Sequence, residues 1–175
     1  METLMYIIIG ILLLIIILAL IAPKNYEVSR SITINKPLSE VFTYLKSLEN
    51  QDNWSPWAER DPNMKKTFTG TDGEVGCISA WESDHKQVGS GEQEITSITD
   101  NKEVTTQLRF LKPFKSESDA YMRVDDVSDG TKVTWGFSGK NKFPVSIMML
   151  FMNMEKAVGG DFEQGLAKLK STLEN

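Results

Sequence analysis

Residues 103–140 read EVTTQLRFLKPFKSESDAYMRVDDVSDGTKVTWGFSGK, and this stretch decides the fold. Within it Val104, Leu108 and Phe110, then Ala120, Met122 and Val124, then Val133, Trp135 and Phe137 recur at even spacing among polar neighbours. A strand turns successive side chains to opposite faces, so each set lies on one side of its strand. Asp129-Gly130 between two alternating runs is a strong hairpin signal. Consecutive antiparallel strands with one apolar face follow, and that face needs a cover. Arg109 and Tyr121 have the opposite parity and are expected in solvent.

Towards the N-terminus the same period continues. The expected strands are Lys65–Gly70, Cys77–Ser83, Gly89–Ile98, Glu103–Phe110, Glu117–Val127 and Lys132–Lys140. Gly70, Asp72-Gly73, Gly76 and Asp100-Asn101 supply turns between them, and glycine in Gly89-Ser90-Gly91 marks a bulge. A first strand spans Tyr26 to Asn35, with Tyr26, Val28, Ile32 and Ile34 on one parity. Arg30 shares that parity, so it either snorkels at a rim or meets a partner inside. Pro37 then opens a helix carrying Leu38, Val41, Phe42 and Leu45, and a second short helix is expected over Leu48 to Trp54.

The cover is the last element. Pro144 sits at its start, and Met154, Val158, Phe162, Leu166, Leu169 and Leu173 trace one helical stripe. Gly159-Gly160 interrupt the stripe at about 1 kcal/mol each relative to alanine, so a kink is expected there. Strands in sequence with helices at both ends give an α+β layer architecture.

At the other end of the chain, the nineteen residues from Leu4 to Ala22 carry no charge. As a helix they span roughly 28 Å, close to the hydrocarbon thickness of a bilayer. A cleaved signal peptide has a basic start and small residues before the cut. This chain starts Met1-Glu2-Thr3 and places Pro23 after Ala22. The expected division is a transmembrane anchor over residues 1–24 and one ligand-binding domain over 25–175. Lys24 and Arg30 follow the helix with nothing basic before it, which favours a cytoplasmic domain. The lone Cys77 excludes an internal disulfide and fits a reducing compartment. The net charge of −5 in a 175-residue chain without Lys or Arg runs argues against nucleic acid as a partner.

Several motifs then fall into a known order: Arg30-Ser31-Ile32, Ile34-Asn35-Lys36-Pro37, Val41-Phe42, Trp54-Ser55-Pro56-Trp57 and Asp61-Pro62-Asn63-Met64. Phe143-Pro144, Leu150-Phe151-Met152-Asn153-Met154-Glu155 and Asp161-Phe162-Glu163-Gln164-Gly165-Leu166 complete it. The chain resembles the START-like, or SRPBCC, superfamily, in particular its membrane-anchored polyketide cyclase/dehydrase-like branch. The resemblance implies a helix-grip fold: a curved antiparallel sheet around a long C-terminal helix, with an internal cavity for lipids, polyketides or similar ligands. It carries over no catalytic residue, because the superfamily shares no catalytic set.

The residues themselves offer little chemistry. His85, the sole histidine, sits in Glu82-Ser83-Asp84-His85-Lys86, a polar turn without a positioned nucleophile. One His and one Cys cannot furnish the usual zinc set, and no phosphate-binding or dinucleotide fingerprint occurs, so no metal or cofactor is expected. Glu92 and Glu94 share a strand face near Glu103; they form an exposed face, or Glu92 points into the cavity as an acid of raised pKa.

The apolar constellations are more informative. Met148, Met149, Met152 and Met154 cluster ahead of the final stripe, either as core or as lining of an adaptable cavity. Ile147, Met148, Leu150 and Phe151 exceed one buried stripe, so part of that turn faces a bilayer or a lid. Trp54, Trp57, Trp81 and Trp135 suit a pocket wall, although Trp54 and Trp57 would equally lock the short helix onto the sheet. The expected lining is Trp54, Trp57, Trp81, Glu92, Leu108, Phe110, Met122, Trp135, Phe137, Met148, Phe151 and Met152. Three functions remain open: a membrane-tethered holder of a hydrophobic small molecule, a cyclase or dehydratase in which Glu92 or Arg30 moves protons, and a co-chaperone-like interaction module.

Overall fold

A computed structural model describes residues 2–141, 143–148, 150 and 153–175. The chain begins with helix α1 (Glu2–Ile21), none of whose residues is buried. It is long and apolar enough to cross a membrane. Three residues later comes strand β1 (Asn25–Ile34), followed by α2 (Leu38–Leu45), a 3-10 turn at Asn50–Asn53 and α3 (Pro56–Arg60). Strands β2 (Lys65–Thr69), β3 (Ile78–Glu82), β4 (Ser90–Thr99), β5 (Glu103–Lys112), β6 (Ser116–Val127) and β7 (Gly130–Lys140) run consecutively. A short α4 (Val145–Met148) and the long α5 (Met154–Glu174) close the chain.

All seven strands form one antiparallel sheet in the order β1-β7-β6-β5-β4-β3-β2. It is the curved sheet around a C-terminal helix expected from the sequence. Six strands form a meander, and β1 crosses to the far edge to pair with β7, from Asn25 opposite Lys140 to Ile34 opposite Thr131. Asn101 at φ 53° and Gly130 at φ 124° make the tight turns where the sequence placed them. A register shift between Ser90 and Gly91 supplies the bulge.

α5 lies across the apolar face with Phe162, Leu166 and Leu169 buried, and they join Val28, Ile34, Val41, Phe42, Val104, Val124 and Val133 in one core. Gly165 permits this approach: a Cβ there would stand 2.8 Å from the Trp135 ring and 3.1 Å from Pro56.

Three helical expectations need correction. The segment expected as one helix over Leu48–Trp54 is a 3-10 turn, and the helix proper starts later, at Pro56, whose ring suits a first helical position. The final helix does not run unbroken from Pro144. α5 begins at Met154, where the Asn153 side chain accepts the Lys156 N–H at 3.1 Å, a side-chain cap that satisfies an otherwise orphaned donor. Gly159-Gly160 do not interrupt it, and α5 is helical through both. Gly159 instead makes room for Arg30, whose Nη2 would be 2.3 Å from a Cβ at that position.

Candidate functional site: an aromatic-walled cavity

Between the inner face of the sheet and the α3–α5 layer lies a cavity of about 1750 Å³. That exceeds the roughly 300–1,000 Å³ typical of small-molecule sites. Even-numbered positions of β5 and odd-numbered positions of β7 aim Leu108, Phe110, Trp135 and Phe137 into it. From β3 comes Trp81, from α3 Trp57, and from α5 Met154, Val158 and Phe162.

The rings are ordered by one another. Trp135 stacks on Phe162 with centroids 4.2 Å apart and 14° between planes. Trp57 meets both edge-on, at 5.8 and 6.4 Å. Across the cavity Trp81 meets Phe110 edge-on at 6.1 Å, and Tyr26 tilts against Phe137 at 5.3 Å. The interior is therefore packed solid around Trp135 and hollow beyond it. Glycine permits two of these placements. A Cβ on Gly91 would stand 2.7 Å from the Trp81 ring, and one on Gly139 would stand 2.4 Å from the Tyr26 hydroxyl oxygen.

Polar side chains share the wall with the rings, among them Gln51, Arg60, Lys66, Gln93, Ser118 and Asp161. The Tyr26 hydroxyl shares a 2.8 Å hydrogen bond with Ser118 Oγ, reaching across β7 to β6. Burial raises the Tyr26 pKa, with the Ser118 bond opposing, so the phenol stays neutral. Lys66 of β2 pairs with Asp52, and burial lowers the pKa of its ammonium group. Arg60 of α3 grips both carboxylate oxygens of Asp161 on α5. This fork ties the two helices that flank the cavity.

A family model described as "Polyketide cyclase / dehydrase and lipid transport" matches residues 26–174. The chain belongs to that family. Membership places this polyketide cyclase/dehydrase-type domain in the SRPBCC superfamily, as its motifs suggested. Solved structures share its fold at low identity. The Aha1 dimer from Colwellia psychrerythraea aligns at 15% identity and TM-score 0.59, covering 85% of this chain and 96% of that one. An uncharacterized protein from Rhizobium leguminosarum aligns at 13% and 0.62, covering 86% and 95%. The di-domain ARO/CYC protein StfQ of the steffimycin pathway aligns at 8% and 0.60, covering 85% of this chain and 50% of that one. Among curated proteins none matches the chain.

In this cyclase/dehydrase-type domain, Trp57, Trp81, Leu108, Phe110, Trp135 and Phe137 all reach the cavity. Trp54 and Met122 do not: both lie in the core behind the wall, and Trp54 packs edge-on against Trp135 at 5.0 Å. Glu92 requires a correction. It lies on the opposite face of the sheet, where Arg109 Nε donates to it at 2.5 Å and Arg109 Nη2 donates to Glu94 at 2.5 Å. Its parity follows Arg109, its neighbour across the β4–β5 ladder, and so turns away from Leu108 and Phe110.

Arg30 is likewise absent from the lining. It lies over Gly159 on α5, paired with Glu155 at 2.7 Å and Glu163 at 2.6 Å. His85 is exposed in the β3–β4 loop. Phe151, Met152 and the side chain of Met148 lie outside the described residues. Among the described residues no cluster of His, Cys, Asp and Glu could hold a metal ion.

Sequence reasoning missed Tyr26, Lys66, Arg60, Asp161 and Phe162 as site residues. Tyr26 and Phe162 are visible by parity and stripe, which mark the covered side of an element but not which covered residue borders a hollow. Arg60 and Asp161 stand 101 residues apart with no local pattern to link them.

Proposed function

We propose that this chain is a membrane-tethered binding protein, anchored by residues 1–24, whose domain of residues 25–175 holds a hydrophobic small molecule or lipid in the internal cavity. The observation that carries this reading is the hollow between Trp81, Phe110 and Phe137. Its rings bound space instead of filling it, and polar groups such as Tyr26–Ser118 and Lys66–Asp52 stand beside them as anchors. The apolar, unburied surface of α1 supports the tether, because a helix hydrophobic all round with no residue buried leaves the bilayer as its main partner. The side chains suggested for a cyclase-type proton transfer, Glu92 and Arg30, lie on ion pairs away from the cavity, so the geometry favours binding over that chemistry.

The test is native mass spectrometry and solvent extraction of the purified full-length chain. A bound hydrophobic molecule is expected, displaced when Leu108→Trp fills the space. A cavity that stays empty after purification and takes up no added fatty acid, lysolipid or polyaromatic probe would overturn the proposal.

A further inference from the structure

The strand ends around the mouth of the cavity share one direction. β1 starts at Asn25, opposite Lys140 at the end of β7; in the antiparallel ladders the start of β6 at Ser116 and the end of β5 at Lys112 fall at the same end. The start of β4 and the end of β3 join them. α1 enters at this end too, because only Ala22, Pro23 and Lys24 separate it from β1. The linker is held: Asn141 donates its backbone N–H to the Lys24 carbonyl at 2.8 Å, and α4 contacts α1.

Three large apolar side chains project from this end, Leu111 at 52%, Phe114 at 80% and Phe143 at 63% exposure. Phe114 and Phe143 also line the cavity, so they stand at its mouth. Around them Lys24, Lys86, Lys112, Lys115 and Lys140 are all exposed. The acids at this end are Glu27, Asp61, Glu82, Asp84, Glu117 and Asp119, interleaved with the lysines; Glu82 lies 4.0 Å from Lys112, Asp61 accepts from the Ser83 hydroxyl and Glu27 accepts from the Tyr121 hydroxyl. The opposite end carries Asp72, Glu74, Asp100, Asp125, Asp126 and Asp129 together with Lys36, Lys46, Lys102 and Lys132, and it shows no comparable pair of exposed phenylalanines among the described residues. What sets the first end apart is exposed phenylalanine with lysine around it, beside the apolar α1.

We propose that this end docks on the bilayer that holds α1, with Phe114 and Phe143 seated in the acyl boundary, the lysines on anionic headgroups, and the cavity mouth opening directly onto lipid. Exposed aromatic residues flanked by Lys are the features that bind a membrane interface, and anionic lipid attracts juxtamembrane lysines. The occupant of the cavity is then an acyl lipid of that same bilayer, exchanged without crossing water. This deepens the proposed function and rests on its tether.

The test reconstitutes the full chain in vesicles of phosphatidylcholine, with and without phosphatidylglycerol. Phe114→Cys and, separately, Phe143→Cys carry an environment-sensitive fluorophore, and Ser128→Cys at the far end is the control. Cys77 is buried, and the unsubstituted chain verifies that it takes no label. The expected result is a blue-shifted emission, quenched by spin-labelled lipid roughly two-fold or more beyond the Ser128 control, as an interfacial position requires. Quenching at Phe114 should weaken when Lys112→Glu and Lys115→Glu are combined, in the anionic vesicles only.

Solvent-like emission at both phenylalanine positions overturns the docking, even if flotation shows the chain still membrane-bound and extraction still yields lipid. Quenching indifferent to phosphatidylglycerol overturns the part assigned to the lysines. A chain that does not float with the vesicles overturns the tether and the docking together. Docking with an empty cavity would instead count against the lipid reading alone.

Discussion

Trp135 and Trp54 touch each other, yet their substitution should differ in cost. Trp135 is 5% exposed, stacks on Phe162 and closes the packed half of the interior, so Trp135→Ala is expected to cost about 3–5 kcal/mol by urea denaturation. Trp54 is 2% exposed, but its indole N–H has no partner among the described residues. Trp54→Phe removes that unsatisfied donor while keeping a ring, so its cost should stay within about 1 kcal/mol. Gly91 is constrained differently, since any Cβ meets the Arg109 carbonyl oxygen at 2.6 Å as well as Trp81. Gly91→Ala is expected to destabilise by about 1–3 kcal/mol and to shift the tryptophan emission.

Cys77 is 1% exposed, and burial, followed by the nearby Asp72 carboxylate, raises its thiol above the ordinary 9.0. A raised acid favours the folded state while protonated. Its contribution is therefore complete below pH 9.0 and declines as pH climbs through the folded value. Native protein at pH 8 should resist iodoacetamide, and denatured protein should react; modification of the native chain would contradict the burial.

Among the elements, α3 and α5 are joined by the Arg60–Asp161 fork, with side chains 26% and 20% exposed, and by Glu59, which pairs with Lys168 and accepts from Gln164. A double-mutant cycle with Arg60→Ala and Asp161→Ala should give a coupling of about 1 kcal/mol, the modest worth of a partly solvated pair. Loosening α3 should also raise the rate at which a bound probe leaves the cavity. The elements themselves were largely legible in the sequence. Period-two alternation placed all seven strands to within a residue or two, because each has one buried face. The break before α5 was not legible: the sequence of residues 147–152 is apolar at every position, so no stripe signals where one helix stops, and only the Asn153 cap marks the new start. The site was half legible for a related reason. Parity told which side of the sheet a residue faces, and so identified Leu108, Phe110, Trp135 and Phe137. It could not tell a residue against a hollow from one against solid packing, which is why Trp54 and Met122 were misplaced. Glu92 was open to parity, since Arg109 opposite it had already been assigned to the other face.

At the scale of the whole molecule, exposed apolar surface is polarised along the strand axis. One end carries α1, Phe114 and Phe143 with Lys24, Lys112, Lys115 and Lys140 around them, while both ends carry acids. Flotation of the full chain should persist in high salt, because α1 supplies hydrophobic attachment that salt does not screen. The docked orientation, read from the Phe114 probe, should weaken as salt rises, because lysine–headgroup attraction falls off within a Debye length.

The pairing of β1 with β7 sets a timetable for biosynthesis. Asn25, which opens β1 after α1 and the Ala22-Pro23-Lys24 linker, finds its partner only at Lys140, so the opening strand must wait for most of the polypeptide to leave the ribosome. Such distant pairing makes for slow folding and a long-lived unpaired edge. Stalled nascent chains ending before Gly130 should remain sensitive to protease, and resistance should arrive in one step once β7 has emerged.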